Sequence, residues 1–517
     1  MARKQRAKTL KLKKKKKNWL YYLNYKNLSA EIQQYGYVFS PHKVVLASIL
    51  EILLAIVFGL VFQLGIPFIT TIALAGLVMV PQLIVHNYYN MYQQKRFSDA
   101  NMYMEQLLYS FNKKKNILDS LRDVQTIFEE GPMKDLLTGA IKNIQYSYAE
   151  KDIEAESLSY IEKEYKNRRL KRINSFILKT RTYGGDISNS TQVLLQDRAM
   201  WETRTIEYQN RRKFVRNSVA ICLILTVLTC AVPLFFLQKR LNIAVTPISQ
   251  VSSTILILLC MFIYTKADQY MTIDWLDSER EVDPKELESY YPRYVNYNVK
   301  DEFVKSLKHL IIPVIFGLFG VYLVHTRGTG SMIAKVYFII AILGAVYVLF
   351  SCYIGEKNLY NALVKEVNMA FPEWLTEIAI LMQTENIQNS IRKSYDTAPP
   401  VLKTSIKQLL DELEYKPMEV EPYANFMKEL HLCEVDKAMK LLYSFSEGKA
   451  GDKSEQVKTI LQTNATLMDK SERIKNKELI ARYERYEVYP MMIGALKMIT
   501  DMIALTQVFF QFSQSIF

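Results

Sequence analysis

Glycine is scarce in this sequence: 17 in 517 residues, against 34 tyrosines and 66 lysines and arginines. Few turns and many long charged side chains point to helix rather than sheet. Histidine is as sparse. His42, His86, His309, His325 and His431 are dispersed, and nothing in their spacing suggests a metal centre. The five cysteines, Cys222, Cys230, Cys260, Cys352 and Cys433, form no Cys-x-x-Cys pair, and four of them fall in or beside apolar stretches. All five are expected to be reduced packing residues, which leaves no basis for a disulfide scaffold or a zinc site. Catalytic signatures are missing too: no HExxH, GxSxG or dinucleotide-binding glycine fingerprint occurs. Gly448 to Ser454 looks superficially like a phosphate-binding loop, but only two residues separate its glycines and Asp452 would repel a phosphate. The expectation is a protein that is not an enzyme and carries no cofactor.

What is present is a strong segregation of apolar and charged blocks, hidden behind an ordinary mean hydropathy of −0.03. Seven apolar stretches approach the roughly 20 residues that span a bilayer: Val44–Leu64, Ile66–Val85, Val219–Leu237, Ile248–Thr265, Leu310–Val324, Val336–Tyr353 and Val488–Phe512. The first two are separated only at Gly65 and are expected to form a tight hairpin, with a single broken re-entrant unit as the alternative. The net charge of +14 concentrates at the start, where residues 1–43 carry twelve lysines and arginines, including Lys13 to Lys17. A basic run before a membrane helix meets anionic lipid of the inner leaflet and holds the N-terminus inside, so lipid and not nucleic acid is the expected partner there. With that orientation the outer loops hold only Lys239, Arg240, Arg327 and Lys335 of the 66 basic residues. The C-terminus then lies outside, and the membrane is of the cytoplasmic (inner) type.

The expected organisation is therefore all-α: a polytopic membrane protein with about seven transmembrane helices and two cytoplasmic helical bundle domains. A basic segment (1–43) precedes a transmembrane hairpin (44–87), a first cytoplasmic domain (88–216) and a transmembrane pair (217–267). A cytoplasmic linker (268–307), acidic over 277–300, a second pair (308–354), a second cytoplasmic domain (355–487) and a last transmembrane helix (488–517) follow. Phe371 to Tyr395 has apolar residues at three- and four-residue steps, which predicts one buried helical face.

The two bundle regions look duplicated. Asn116-Ile117-Leu118-Asp119-Ser120-Leu121-Arg122 and Asn386-Ile387-Gln388-Asn389-Ser390-Ile391-Arg392 share the pattern N-I-x-x-S-[L/I]-R at an offset of 270, and Gly185-Asp186 recurs as Gly451-Asp452 at an offset of 266. The turns containing Gly184, Gly185 and Asp186, and Gly448, Gly451 and Asp452, are candidate helix caps or partner-docking loops, since a carboxylate accepts the unpaired amides of a helix start. Glu51, Lys497 and Asp501 fall inside apolar spans, where a charge costs roughly 2.5–3.5 kcal/mol and needs a partner. Lys497 and Asp501 are four apart and share one helix face. They are expected to form a packing pair against other membrane helices, with an ion or proton path as the alternative role.

On these features the chain resembles the type II secretion F family, the inner-membrane platform proteins of secretion systems, type IV pili, Tad-type pili and archaeal flagella. Phe371-Pro372-Glu373-Trp374-Leu375, opening an apolar helix, and Thr182-Tyr183-Gly184-Gly185-Asp186-Ile187, running into Val193-Leu194-Leu195, are similar to the family's domain start and its later glycine turn. The chain looks like two units of the Tad-type branch joined, about 270 residues each. Where the family often has glycine in the turn after the first domain helix, this chain has Lys113-Lys114-Lys115-Asn116 and Thr384-Glu385-Asn386. Asparagine tolerates the left-handed conformation such a turn needs. The resemblance implies a scaffold that couples a cytoplasmic secretion-type ATPase to pilin-like or pseudopilin subunits, with pseudo-twofold packing inside one chain and room for a homodimer. A membrane transporter or channel is the competing class. It would place polar groups and broken helices at the midplane, and three ionisable residues in seven spans fit that poorly.

Overall fold

The computed structural model describes residues 19–146, 153–183, 188–237, 243–271, 275–276, 283–327, 332–382, 385–446 and 453–516. Every regular element among them is helical, and seven of the helices are long and apolar enough to cross a membrane. Each of the seven overlaps one of the stretches read from the sequence, although the first ends at Val61, three residues short of Leu64.

A short helix α1 (Tyr25–Gln34) seats Leu28 and Ile32 against Val85 and Tyr88. Helices α2 (Pro41–Val61) and α3 (Ile66–Lys114) then form the expected hairpin. At its turn Gln63 takes the left-handed conformation, φ 52°. A distant side chain closes the turn: Gln250 Oε1 accepts from the Gly65 N–H at 3.3 Å and its Nε2 donates to the Gln63 carbonyl at 3.1 Å.

Helix α3 does not stop where the membrane should. It runs 49 residues, about 74 Å at 1.5 Å per residue, and its far end enters a helical bundle. Three others do the same: α8 (Ser188–Leu237, 50 residues), α13 (Met332–Leu381, 50 residues) and α18 (Lys453–Ile516, 64 residues). The boundaries expected at 87/88, 216/217, 354/355 and 487/488 all fall inside these helices. Hydropathy changes there, yet each helix runs on, through Gly355 at the third change and Pro490 beside the fourth. Each long helix has one proline beyond its first turn: Pro81, Pro233, Pro372 and Pro490.

The first bundle joins the end of α3 to α4 (Ile117–Ile127), α5 (Pro132–Tyr146), α6 (Ile153–Tyr165), α7 (Arg168–Tyr183) and the start of α8. Tyr103, Leu107, Leu121, Leu158 and Phe176 are fully buried in its core. After the membrane helix α9 (Pro247–Met271) come α10 (Pro284–Val295) and α11 (Val299–Leu307). The second hairpin is α12 (Ile311–Arg327) with α13. The second bundle joins the end of α13 to α14 (Ile387–Ser394), α15 (Pro400–Tyr415), α16 (Glu421–Asn425), α17 (Cys433–Ser446) and the start of α18.

Several expectations are corrected here. Phe371 to Leu375 does not open a helix: it lies inside α13, with Phe371, Trp374 and Leu375 buried. The Trp374 ring stacks on Phe426 at 5.4 Å and its indole donates to Ser394 Oγ at 2.8 Å. That packing outweighs the one backbone hydrogen bond Pro372 removes. The helical face predicted over Phe371 to Tyr395 is split, since α13 ends at Leu381 and Ile387 starts a new helix. The linker is not a free tether. Trp275 packs on Phe97 at 5.6 Å in the first bundle, and Tyr291 is buried in the second and donates to Glu429 at 2.9 Å. Cys433 is exposed at the start of α17 rather than a packing residue, because its helix turns that position outward. In the turn before α4 the left-handed residue is Lys115 (φ 51°), while Asn116 is extended (φ −131°). Asparagine is needed there as the cap.

That cap recurs. Asn116 Oδ1 accepts from the Asp119 N–H at 3.1 Å, and Asn386 Oδ1 from the Asn389 N–H at 2.8 Å. Ser120 and Ser390, both fully buried, donate to the carbonyls of Asn116 and Asn386 at 2.6 and 2.8 Å. The shared heptapeptide is thus one capped, buried helix start used twice.

Within the membrane layer, α2, α3, α8, α9 and α18 share one apolar core that includes Ile72, Val219, Leu256 and Ala504. No described residue of the α12–α13 hairpin belongs to it, and Leu318, Val321, Leu343 and Val346 are exposed.

Candidate functional site: the charged seam and the membrane pair

The first and second halves meet along α8 and α18. Arg204 pairs with Asp469 and Glu472, Arg211 with Glu484, and in the membrane Cys230 Sγ donates to the Gly494 carbonyl at 3.7 Å. Partners advance together along both helices, so the helices run parallel.

The seam's charges are sorted by half. Arg168 pairs with Glu373 at 3.6 Å, Arg169 with Glu472 at 2.5 Å, Lys179 with Glu377, Arg204 with Asp469 at 2.9 Å and with Glu472, and Arg211 with Glu484 at 2.9 Å. Among the described residues, every ion pair that bridges the halves takes its cation from the first and its anion from the second. Helix α7 aims Arg169 and Arg172 at the seam because Leu170, Ile173, Phe176 and Ile177 bury its other face.

At the centre Asp197 is held by Arg169 at 3.3 Å and Arg172 at 2.5 Å, all three buried or nearly so. Burial would raise the Asp197 carboxyl, but the two guanidinium groups hold it below the usual carboxylate range. Burial likewise works against the Arg169 charge, and Glu472 and Asp197 outweigh it, so the guanidinium stays protonated. Arg169 also lies over the Trp201 ring at 5.4 Å, and Arg172 donates to Thr376 Oγ1 at 3.4 Å. A buried charge group of this kind contributes less to stability than to choosing one partner arrangement, since breaking it strands a charge.

Lys497 and Asp501 are brought together as the spacing predicted. They form a buried ion pair on α18, and Ser249 in the first turn of α9 lies 3.4 Å from both. The hydroxyl joins two helices through the charged pair. Glu51 is not part of that group. It sits on α2 against Gly76 of α3, where any side-chain Cβ would collide with its carboxyl. Gly184, Gly185, Asp186, Gly448, Gly451 and Asp452 lie outside the described residues.

The seam residues were not singled out from the sequence, where each reads as an ordinary helical charge. One signal was available. Arg204 and Glu472 are 268 positions apart, between the offsets of 266 and 270 at which the motifs repeat. Among the described residues no cluster of three or more His, Cys, Asp or Glu side chains could hold a metal ion. The arrangement binds one half to the other and ties both to the membrane helices.

No family model, curated protein or solved structure matches this chain.

Proposed function

We propose that this chain is a platform protein of a cytoplasmic-type membrane in a type IV pilus or type II secretion-like assembly machine, of the Tad-type kind in the F family. Its two bundles lie on the inner side, the N-terminus inside and the C-terminus outside. They offer docking faces to a cytoplasmic secretion-type ATPase, and the membrane helices act on pilin-like or pseudopilin subunits.

One observation carries the reading. Four helices of 49 to 64 residues run unbroken from a membrane-length apolar stretch into a bundle. A displacement imposed on a bundle is therefore delivered to the membrane layer through backbone hydrogen bonds rather than through loops.

The duplication is part of the proposal. The order of hairpin, four shorter helices and long return helix occurs twice. Equivalent starts lie 270 positions apart at Ile117 and Ile387, and 265 at Ser188 and Lys453. The sorted charges of the seam suit two unlike halves fused so that each pairs with the other and not with itself.

Co-purification tests it. The tagged chain is extracted from its own host in mild detergent and its companions are identified. A secretion-type ATPase with pilin-like proteins is the expected result. Purification alone, together with substrate-dependent flux in proteoliposomes lacking any ATPase, would replace this reading with transport.

A further inference from the structure

Between α3, α8 and α9 lies a cavity of about 220 Å³ whose wall includes His86, Asn90, Arg212, Lys213, Arg216 and Asp268. It stands at the level where all three helices change character: α3 just past Val85, α8 just before Val219 and α9 just past Thr265. That is the headgroup level of a bilayer.

Its charge is predominantly positive, with three cations against the single carboxylate of Asp268. Asp268 is engaged by His86 Nδ1 at 3.1 Å and by Arg216 at 3.5 Å. A carboxylate oxygen accepts, so His86 Nδ1 donates and the imidazole is fixed in place. Arg212 is buried, its guanidinium donating to Gln209 Oε1 at 3.0 Å and to the Tyr270 carbonyl at 3.3 Å. Asn90 Oδ1 accepts from the Trp275 indole at 2.9 Å, which leaves the amide NH2 as its remaining donor. Lys213 is exposed and makes no ion pair among the described residues. Just beyond, Ile221 and Leu225 on α8 and Phe262 on α9 present apolar surface where acyl chains would lie.

We infer that this cavity binds a phosphate-bearing anion, supplied by the headgroup of an anionic phospholipid. Three helices thereby share one lipid at the base of the first half. The site is separate from the lysine run at the N-terminus and stands whether or not the platform reading does.

The test is a lipid titration of the full-length protein in detergent, read by native mass spectrometry. Phosphatidylglycerol should bind at least about ten-fold more tightly than phosphatidylcholine. Lys213→Gln with Arg216→Gln should weaken phosphatidylglycerol by about five-fold for each cation removed. Lys213→Glu alters only an exposed side chain, and keeps the test decisive if the double variant fails to purify. A chain with Lys13 to Lys17 changed to Gln must still bind as the parent does. Equal lipid binding by parent and both cavity variants would overturn the site. If inorganic phosphate at about 10 mM displaces the lipid and itself depends on Lys213, lipid as the source is overturned and free phosphate is the ligand.

Discussion

Arg204 and Glu472 form an ion pair between two parallel helices at a sequence separation of 268, between the offsets of 265 and 270 that separate the proposed equivalent helix starts. If the halves are the duplicated units proposed above, they meet through equivalent places, as the subunits of a symmetric dimer do. Unlike a dimer, they carry opposite charges there.

Reversing one side should break the seam, and reversing both should restore only the pair between them. The Arg204 side chain is 6% exposed, so Arg204→Glu leaves like charges buried together and costs about 3–5 kcal/mol. Adding Glu472→Arg should recover a minor part, because position 472 also faces Arg169 and position 204 also faces Asp469. Thermal melting of the four purified forms gives the coupling. Additive effects of the two changes would mean the pair is incidental.

The centre of the seam should be sensitive to acid. Arg169 and Arg172 hold the Asp197 carboxyl below its ordinary value. An unfolded aspartate titrates near 3.9. The folded value lies lower, so the contribution of Asp197 is present above about pH 4 and is lost as pH falls through the folded value. Melting temperature should be insensitive to this group between pH 7 and 5. Asp197→Asn should destabilise by about 3–5 kcal/mol at neutral pH and flatten the decline below pH 4. An unchanged acid profile would remove Asp197 from that account.

In the membrane the same two long helices touch at Gly494, where an added Cβ would come within 2.7 Å of Thr226 Cγ2. Gly494→Ala should cost about 1–3 kcal/mol. Thr226→Ser removes that methyl and keeps the hydroxyl that donates to the Cys222 carbonyl at 2.8 Å, so the double variant should regain most of the loss. Failure of this rescue in a melting experiment would place the helices further apart than described.

Lys497 and Asp501 should be dispensable as a pair and not singly. Lys497→Leu strands a carboxylate beside Ser249 and should lower membrane yield and melting temperature. Lys497→Leu with Asp501→Leu should restore both, because buried ion pairs are often replaced by apolar residues at little cost. If the double variant folds normally yet loses activity in a pilus or secretion assay, the pair has a role beyond packing.

Cys433 offers a native probe of sidedness. It is exposed, while Cys230, Cys260 and Cys352 are buried. A membrane-impermeant maleimide should label it in inverted membrane vesicles and leave it untouched in intact cells. Labelling in intact cells would invert the orientation proposed above.

Hydropathy carried the reading of the membrane layer, since runs of about 20 apolar residues leave little choice of structure. The spacing of Lys497 and Asp501 identified their pairing, and the Asn116 and Asn386 heptapeptides announced a local structure whose bonds are all within seven residues. Less local features were not legible. A change of hydropathy at 87/88 and 354/355 marks where a segment leaves the apolar layer but does not say whether its helix ends, and here each helix continues, at the second change through Gly355. Pro372 suggests a helix start, but the burial of Phe371 and Trp374 carries the helix through it. Arg169, Arg172 and Asp197 could not be told from solvated charges, because their burial depends on segments far away in the chain, and no single-helix pattern encodes that.

Each long helix contains one proline beyond its first turn, at 81, 233, 372 and 490. A proline has no N–H, so the carbonyls of Leu77, Thr229, Asn368 and Tyr486 each lose the helical donor four residues on. Bending stiffness therefore drops at one place along each shaft, and an angular strain applied at either end collects there instead of spreading. Pro81 and Pro490 stand within about a turn of the bundle-side ends of their apolar stretches, Pro233 near the opposite end of its own, and Pro372 inside the second bundle. Twisting one half against the other would load these places before the straight lengths between them.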